Sequence, residues 1–170
     1  MSIKWIGAML IICSCGLVGF KISKSYRLEE RNLRQLIGAL DYMVCELRYR
    51  QSALPDICYQ IGNERTGCIG KLFANLSKEL NAQTSPDVQS SLITAAASIE
   101  EISGRVKEAI CIMGSSLGRF DLDGQLLGLD AVRSFCQEQL RSMSKDRDAR
   151  LRSYQTLGLC AGAALAILFV

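Results

Sequence analysis

The chain has no histidine among its 170 residues, which removes the commonest general base and the commonest metal ligand together. A cysteine nucleophile would therefore lack its usual partner, and no Gly-x-Ser-x-Gly elbow occurs. Nor is there a Cys-x-x-Cys, so neither a zinc site nor a redox pair is signalled. The eight cysteines are scattered instead. Cys45, Cys58, Cys68, Cys111 and Cys136 stand singly in the middle of the chain, and Cys13, Cys15 and Cys160 lie in apolar runs near its ends. Such thiols in a cytosolic domain are expected to be reduced and to behave as small apolar residues. No stretch alternates as a strand would, and no internal repeat or low-complexity tract appears. The charge balance is only mildly basic, 20 Lys and Arg against 17 Asp and Glu, and aromatics make up 6%. A basic stripe interleaved with aromatics is missing, which excludes nucleic acid as a partner.

Three local patterns resemble functional motifs and fail in detail. Gly62-x-x-x-x-Gly67 begins like a phosphate-binding loop, but Cys68 and Ile69 stand where Lys and Ser/Thr are required. A helix-turn is expected there. Asp121-Leu122-Asp123-Gly124 has the carboxylates of a calcium loop, with its glycine too early and no bidentate Glu at the required distance. The two carboxylates are read as helix caps. Asn75-Leu76-Ser77 fits a glycosylation sequon, without meaning on a cytosolic helix with an apolar face. No catalytic residue, cofactor or metal site is expected, and the chain reads as a non-enzyme.

Charge is also lacking at both ends. One uncharged apolar run extends from Trp5 to Phe20 and another from Ser153 to Val170. A spanning helix needs roughly 20 mainly apolar residues, with about 17 as a lower bound. The first run reaches that length as residues 3–20, with Lys4 reaching the head groups and Trp5 at the interface. The second reaches it unaided as residues 153–170. Lys21, Lys24, Arg27, Arg31 and Arg34 follow the first run, and Arg141, Lys145, Arg147, Arg150 and Arg152 precede the second. The positive-inside rule then places residues 22–152 in the cytoplasm and both termini across the membrane. A secretory signal is the competing reading of the first run, but Gly19-Phe20-Lys21 offers no small-x-small cleavage site. A lipoprotein box at Ile12-Cys13-Ser14-Cys15 would put lipid on Cys15 and the domain outside, after an unusually short apolar stretch.

The middle is helical in period and long enough for one compact domain, about 130 residues. From Ser25 to Arg50, Leu33, Leu36, Ile37, Leu40, Met43, Val44 and Leu47 share a face, with Lys24, Arg27, Arg31 and Arg34 opposite. A short helix is opened by Ser52-Ala53-Leu54-Pro55 and expected to close at Gly62, Pro55 suiting a first turn. A loop over Asn63 to Gly67 leads to a helix carrying Cys68, Ile69, Leu72, Phe73, Leu76 and Leu80. The break from Asn81 to Pro86 ends with Ser85 or Asp87 as cap. Leu92, Ala95, Ile99, Ile102, Val106, Ile110 and Met113 keep a 3–4 spacing that predicts one long helix, stopping near Leu117-Gly118. The last helix carries Leu129, Val132, Cys136, Leu140 and Met143. It continues as a charged segment with Asp146–Arg150 and Asp148–Arg152 pairs into the second apolar run. The expected fold is all-α, a cytoplasmic bundle of about five to six helices flanked by N-terminal and C-terminal transmembrane helices.

Three features are candidates for interaction. Lys24, Arg27, Arg31 and Arg34 lie on one face beneath the membrane, where each basic residue near anionic lipid gains about 1 kcal/mol. Gly158-x-x-x-Gly162 followed by Ala166 forms a small-residue stripe that lets another transmembrane helix approach closely. The polar turn of Gly118, Asp121 and Gln125 sits at a bundle corner, accessible to a partner.

Several elements in order resemble the stage III sporulation protein AB family. They are the short span, the basic helix with Arg34-Gln35-Leu36, the Leu54-Pro55 opener, the Leu72-Phe73 helix, Leu117-Gly118-x-x-Asp121-x-x-x-Gln125 and the glycine-rich terminal span. The resemblance covers essentially the whole chain. It implies a component of the channel-like complex between mother cell and forespore, similar to the F platform proteins of type II secretion and type IV pilus machines. By that analogy the domain docks a secretion-type ATPase on the mother-cell side and joins other membrane components through its spans. The family suggests no catalytic residue. A lipid-sensing or regulatory membrane module without an ATPase partner is the alternative.

Overall fold

The computed structural model describes the backbone of residues 2–83, 87–99, 102–118 and 121–169, with side chains from residue 24 to residue 145 within those segments. Six α-helices and no strand are found among the described residues. They are α1 (Ser2–Cys45), α2 (Leu54–Glu64), α3 (Gly67–Ala82), α4 (Val88–Ala97), α5 (Gly104–Ser116) and α6 (Leu122–Phe169). A π-helical turn, Glu46–Arg50, follows α1 directly. From α2 to α6 successive helices pack on one another, and α1 packs mainly on α6, which closes the ring.

The apolar faces expected from periodicity form the core. Leu33, Leu36, Leu40 and Met43 of α1 are fully buried, as are Leu129, Val132 and Cys136 of α6. Leu72, Phe73 and Leu76 of α3 occupy the centre. Burying such a side chain contributes about 1.5–3 kcal/mol, so α3 is held by its neighbours rather than by its own propensity.

Close contacts fix the crossings. A Cβ at Gly62 would lie 2.8 Å from the Ala74 nitrogen, and one at Gly70 only 1.9 Å from the Arg65 carbonyl oxygen. Gly62 therefore does not end α2 as expected; the helix runs on to Glu64, and the glycine marks where α2 and α3 touch. The expected loop from Asn63 to Gly67 shrinks to Arg65 and Thr66, a helix-turn. Ser77 donates to the Pro55 carbonyl at 2.9 Å, tying the end of α3 to the start of α2.

The long helix expected from Leu92 to Met113 is two helices. α4 stops at Ala97 and α5 begins at Gly104. The Ser98 hydroxyl donates to the Ala95 carbonyl at 2.8 Å and accepts from Asn75 at 2.9 Å, while the Ile99 amide turns back to Ala96. These bonds satisfy the last carbonyls of α4 and end it. α5 then returns alongside α4: a Cβ at Gly114 would lie 3.3 Å from the Gln89 Cα, and one at Gly118 2.6 Å from Val88 Cγ2. Ile99 and Ile102, in and beside the break, are still buried. Asp87 caps α4, accepting from the Ser90 amide at 2.9 Å. Ser85, the other expected cap, lies outside the described residues.

Among the described residues no helix is long and apolar enough to cross a membrane. The expected spans, 3–20 and 153–170, lie outside the residues whose side chains are described, as do Gly158, Gly162 and Ala166 and the charged pairs after Lys145. The backbones of α1 and α6 are nevertheless unbroken through most of both apolar runs.

Candidate functional site

The basic face of α1 builds the most distinctive surface. Lys24, Arg27, Arg31 and Arg34 are all exposed, because Leu33, Leu36 and Leu40 take the opposite side of the helix into the core. Three of the four do not act alone. A solvent-open cleft of about 470 Å³ is lined by Arg27, Glu30, Arg31, Arg34, Gln35 and Arg65. Lys24 is not among them.

Arg65 is the residue that sequence reasoning missed. It stands in the turn between α2 and α3, 30 residues from the α1 face, and α2 brings it back against α1. Its guanidinium lies over Gly38, where an added Cβ would be 2.8 Å from Nη1, and Nη1 donates to the Gln35 carbonyl at 3.5 Å. Gly38 thus supplies the seat for the cation. Gly38, the one glycine between Lys21 and the end of α1 at Cys45, is the signal that could have found it.

The charges in the cleft are unbalanced. Glu30 pairs with Arg34 at 2.9 Å, one turn along the same helix. Among the described residues, Arg27, Arg31 and Arg65 form no ion pair with a carboxylate. A second cleft of about 380 Å³ shares Arg31 and Gln35 with the first and adds Leu28, Asn32 and Thr66 to its walls.

The polar turn expected to meet a partner lies between α5 and α6. Gly118 has φ +75 and passes close to Val88, so its role is to turn the backbone. Asp121 opens α6, accepting from the Gly124 amide at 3.1 Å and, through its carbonyl, from the Gln125 amide at 3.0 Å. Asp121 is thus the cap expected there, whereas Asp123 lies inside the first turn of α6. Leu127, 73% exposed, and Leu122 flank the turn.

Among the described residues, the cysteine placement assembles no chemistry. Cys45, Cys58, Cys68, Cys111 and Cys136 form no disulfide with one another, and no His, Cys, Asp or Glu group among the described residues could hold a metal ion. Burial pushes the Cys58 thiol up to about 12 and Cys136 up to about 11. Near the π turn, the Tyr42 hydroxyl is held above its ordinary value by desolvation first and by the neighbouring Glu46 carboxylate second. Glu46 is buried and accepts from Arg50 at 3.2 Å and from the Ser52 hydroxyl at 2.9 Å. Its partners are complete, so it serves to close the bundle end.

Comparisons with known proteins agree with this architecture. The model of the family described as Stage III sporulation protein AB matches residues 4–170. Stage III sporulation protein AB of Bacillus subtilis (strain 168) is 29% identical over 79 residues, a match spanning 46% of this chain and 46% of that protein. It therefore covers less than half of the relative's length. A solved structure of Stage III sporulation protein AB (SpoIIIAB) shares the fold with a TM-score of 0.66 at 18% identity, covering 72% of this chain and 98% of that one. The chain belongs to the stage III sporulation protein AB family.

Proposed function

We propose that the protein is a non-enzymatic platform held in the mother-cell membrane around the forespore, with residues 3–20 and 153–170 as its spans. The cytoplasmic bundle between them docks a secretion-type ATPase, and the spans meet other membrane components of the same sporulation complex. The observation that carries this reading is helix continuity. α1 and α6 are 44 and 48 residues long, about 66 and 72 Å at 1.5 Å per residue. Each begins or ends in an apolar run and shares its other half with the bundle core. Two such helices would transmit the orientation of the domain to the membrane, where a flexible tether would let it swivel.

Affinity capture of the intact protein from sporulating cells, with crosslinking, tests the reading. Recovery of a secretion-type ATPase that survives removal of both apolar runs is the expected result and puts the contact on residues 22–152. A well-captured protein without the ATPase overturns the platform reading. The exposed basic face favours a second reading, a lipid-sensing or regulatory module. In that case neutralising Lys24, Arg27, Arg31 and Arg34 abolishes function with insertion intact and no ATPase is recovered.

A further inference from the structure

We propose that the arginine cleft between α1 and the α2–α3 turn binds the phosphate groups of a soluble di- or triphosphate, held by Arg31 and Arg65. All the cations lining the cleft are arginines, whose planar forks match phosphate oxygens in pairs, where lysine would act only as a point charge. Four of them face a single carboxylate, and that carboxylate is engaged by Arg34. Arg65 is half-buried against Gly38, near the Gln35 carbonyl. A cation seated on an α-helix without a counter-charge among the described residues is poised for an anion from outside. At about 470 Å³ the cleft is within the usual range for small ligands. The neighbouring cleft, joined through Arg31 and Gln35, gives room for the remainder of an ester, with Leu28, Asn32 and Thr66 along it.

Lipid phosphate shares this chemistry, and distance argues against it. The argument uses the proposed membrane placement, in which Phe20 ends the first span. Arg27 then stands about 10 Å beyond the span and Gly38, beneath Arg65, about 27 Å beyond it. A helix tilted by about 40° still leaves Gly38 roughly 20 Å above the hydrocarbon. The head-group layer is only about 5–8 Å deep, and surface charge is screened over about 8 Å more. Lys24 and Arg27 fall within that reach and Arg65 falls outside it, so the face of α1 divides into a lipid-facing end and a soluble-ligand end.

Titration of the purified full-length chain in neutral detergent with magnesium-free pyrophosphate tests this, read by calorimetry and by phosphorus resonance line width. Saturable binding is expected. Arg31→Gln and Arg65→Gln should each weaken it roughly ten- to a hundredfold, and Lys24→Gln should leave it essentially unchanged. Gly38→Ala keeps every charge and displaces only the Arg65 fork, so an intermediate loss with an unchanged melting midpoint marks positioning rather than net charge. The idea is overturned by non-saturable binding, or by equal losses from Lys24→Gln and Arg65→Gln, which would mean a diffuse basic surface. It is equally overturned if vesicles containing phosphatidylglycerol bind the chain through Arg65 while pyrophosphate does not. Normal pyrophosphate binding by Arg65→Gln, together with loss of a captured partner, would mark an acidic protein surface as the occupant instead. No ATPase is present in the titration, so its failure and that of the platform reading are separate results.

Discussion

At the scale of single residues, the glycines and cysteines carry opposite lessons. Gly62 and Gly70 sit against backbone atoms of Ala74 and Arg65 that cannot step aside. Gly62→Ala is expected to destabilise the bundle by about 1–3 kcal/mol through overpacking, with Gly70→Ala costing more, as denaturant midpoints would report. Gly104, with open space around its Cβ position, should instead gain up to about 1 kcal/mol as alanine. Thiol labelling of the folded chain near pH 8 should modify the exposed Cys45 and Cys111 and spare Cys58 and Cys136 until unfolding. The sign of the accompanying pH effect follows from the raised thiols. The folded state keeps the Cys58 proton up to about 12, while the unfolded chain releases it near 9.0. That contribution to stability is complete below pH 9 and declines as pH rises towards 12. A flat stability profile across that window would show that the thiol ionises as freely in the folded chain.

At the scale of elements, periodicity located the buried faces far better than it located the ends. Leu33, Leu36 and Leu40 on α1, and Leu129, Val132 and Cys136 on α6, were legible because a 3.6-residue repeat reports which side faces the core. The split between α4 and α5 was not, since Ile99 and Ile102 stay buried through the break and carry the repeat across it. Hydrophobic spacing records burial and is silent on whether the chain has turned back. The punctuation that ends α4 is polar and local: Ser98 capping Ala95, then Ser103 and Gly104 opening α5. The arginine cleft was half legible for a related reason. Its α1 side follows from helix spacing, whereas Arg65 arrives from another element and its seat depends on a missing side chain at Gly38. Removing the side-chain cap at the N-terminus of α4, by Asp87→Ala, should cost about 1 kcal/mol. Hydrogen exchange should show the loss first in the amides of Ser90 and Ser91, with α2 and α3 less affected.

At the scale of the whole molecule, the two terminal helices are joined to the bundle by ion pairs between helices as well as by core. Glu29 on α1 meets Arg105 on α5 at 2.9 Å, and Asp41 on α1 meets Arg133 on α6 at 2.8 Å. The second pair is nearly half exposed on both sides, and such pairs contribute about 0–1 kcal/mol. They set the register of α1 against its neighbours more than they hold the fold. If the bundle reads out or imposes orientation through α1 and α6, the segment that matters is the one between Met143, the last residue of α6 described as buried, and the start of the second apolar run. Ala149→Pro, six residues beyond Met143, interrupts that helix, because proline removes one backbone hydrogen bond and clashes with the carbonyl four residues earlier. The expected result is an unchanged melting midpoint for the bundle, unchanged membrane recovery, and loss of spore formation. An equivalent change that lengthens the segment without breaking it, three alanines inserted after Ala149, keeps the helix and turns the bundle by about 300° relative to the second run. Loss of function from the proline with function kept after the insertion would mean that stiffness matters and angle does not. Loss from both would mean that α6 transmits a defined orientation, and retention in both would reduce the two helices to simple anchors.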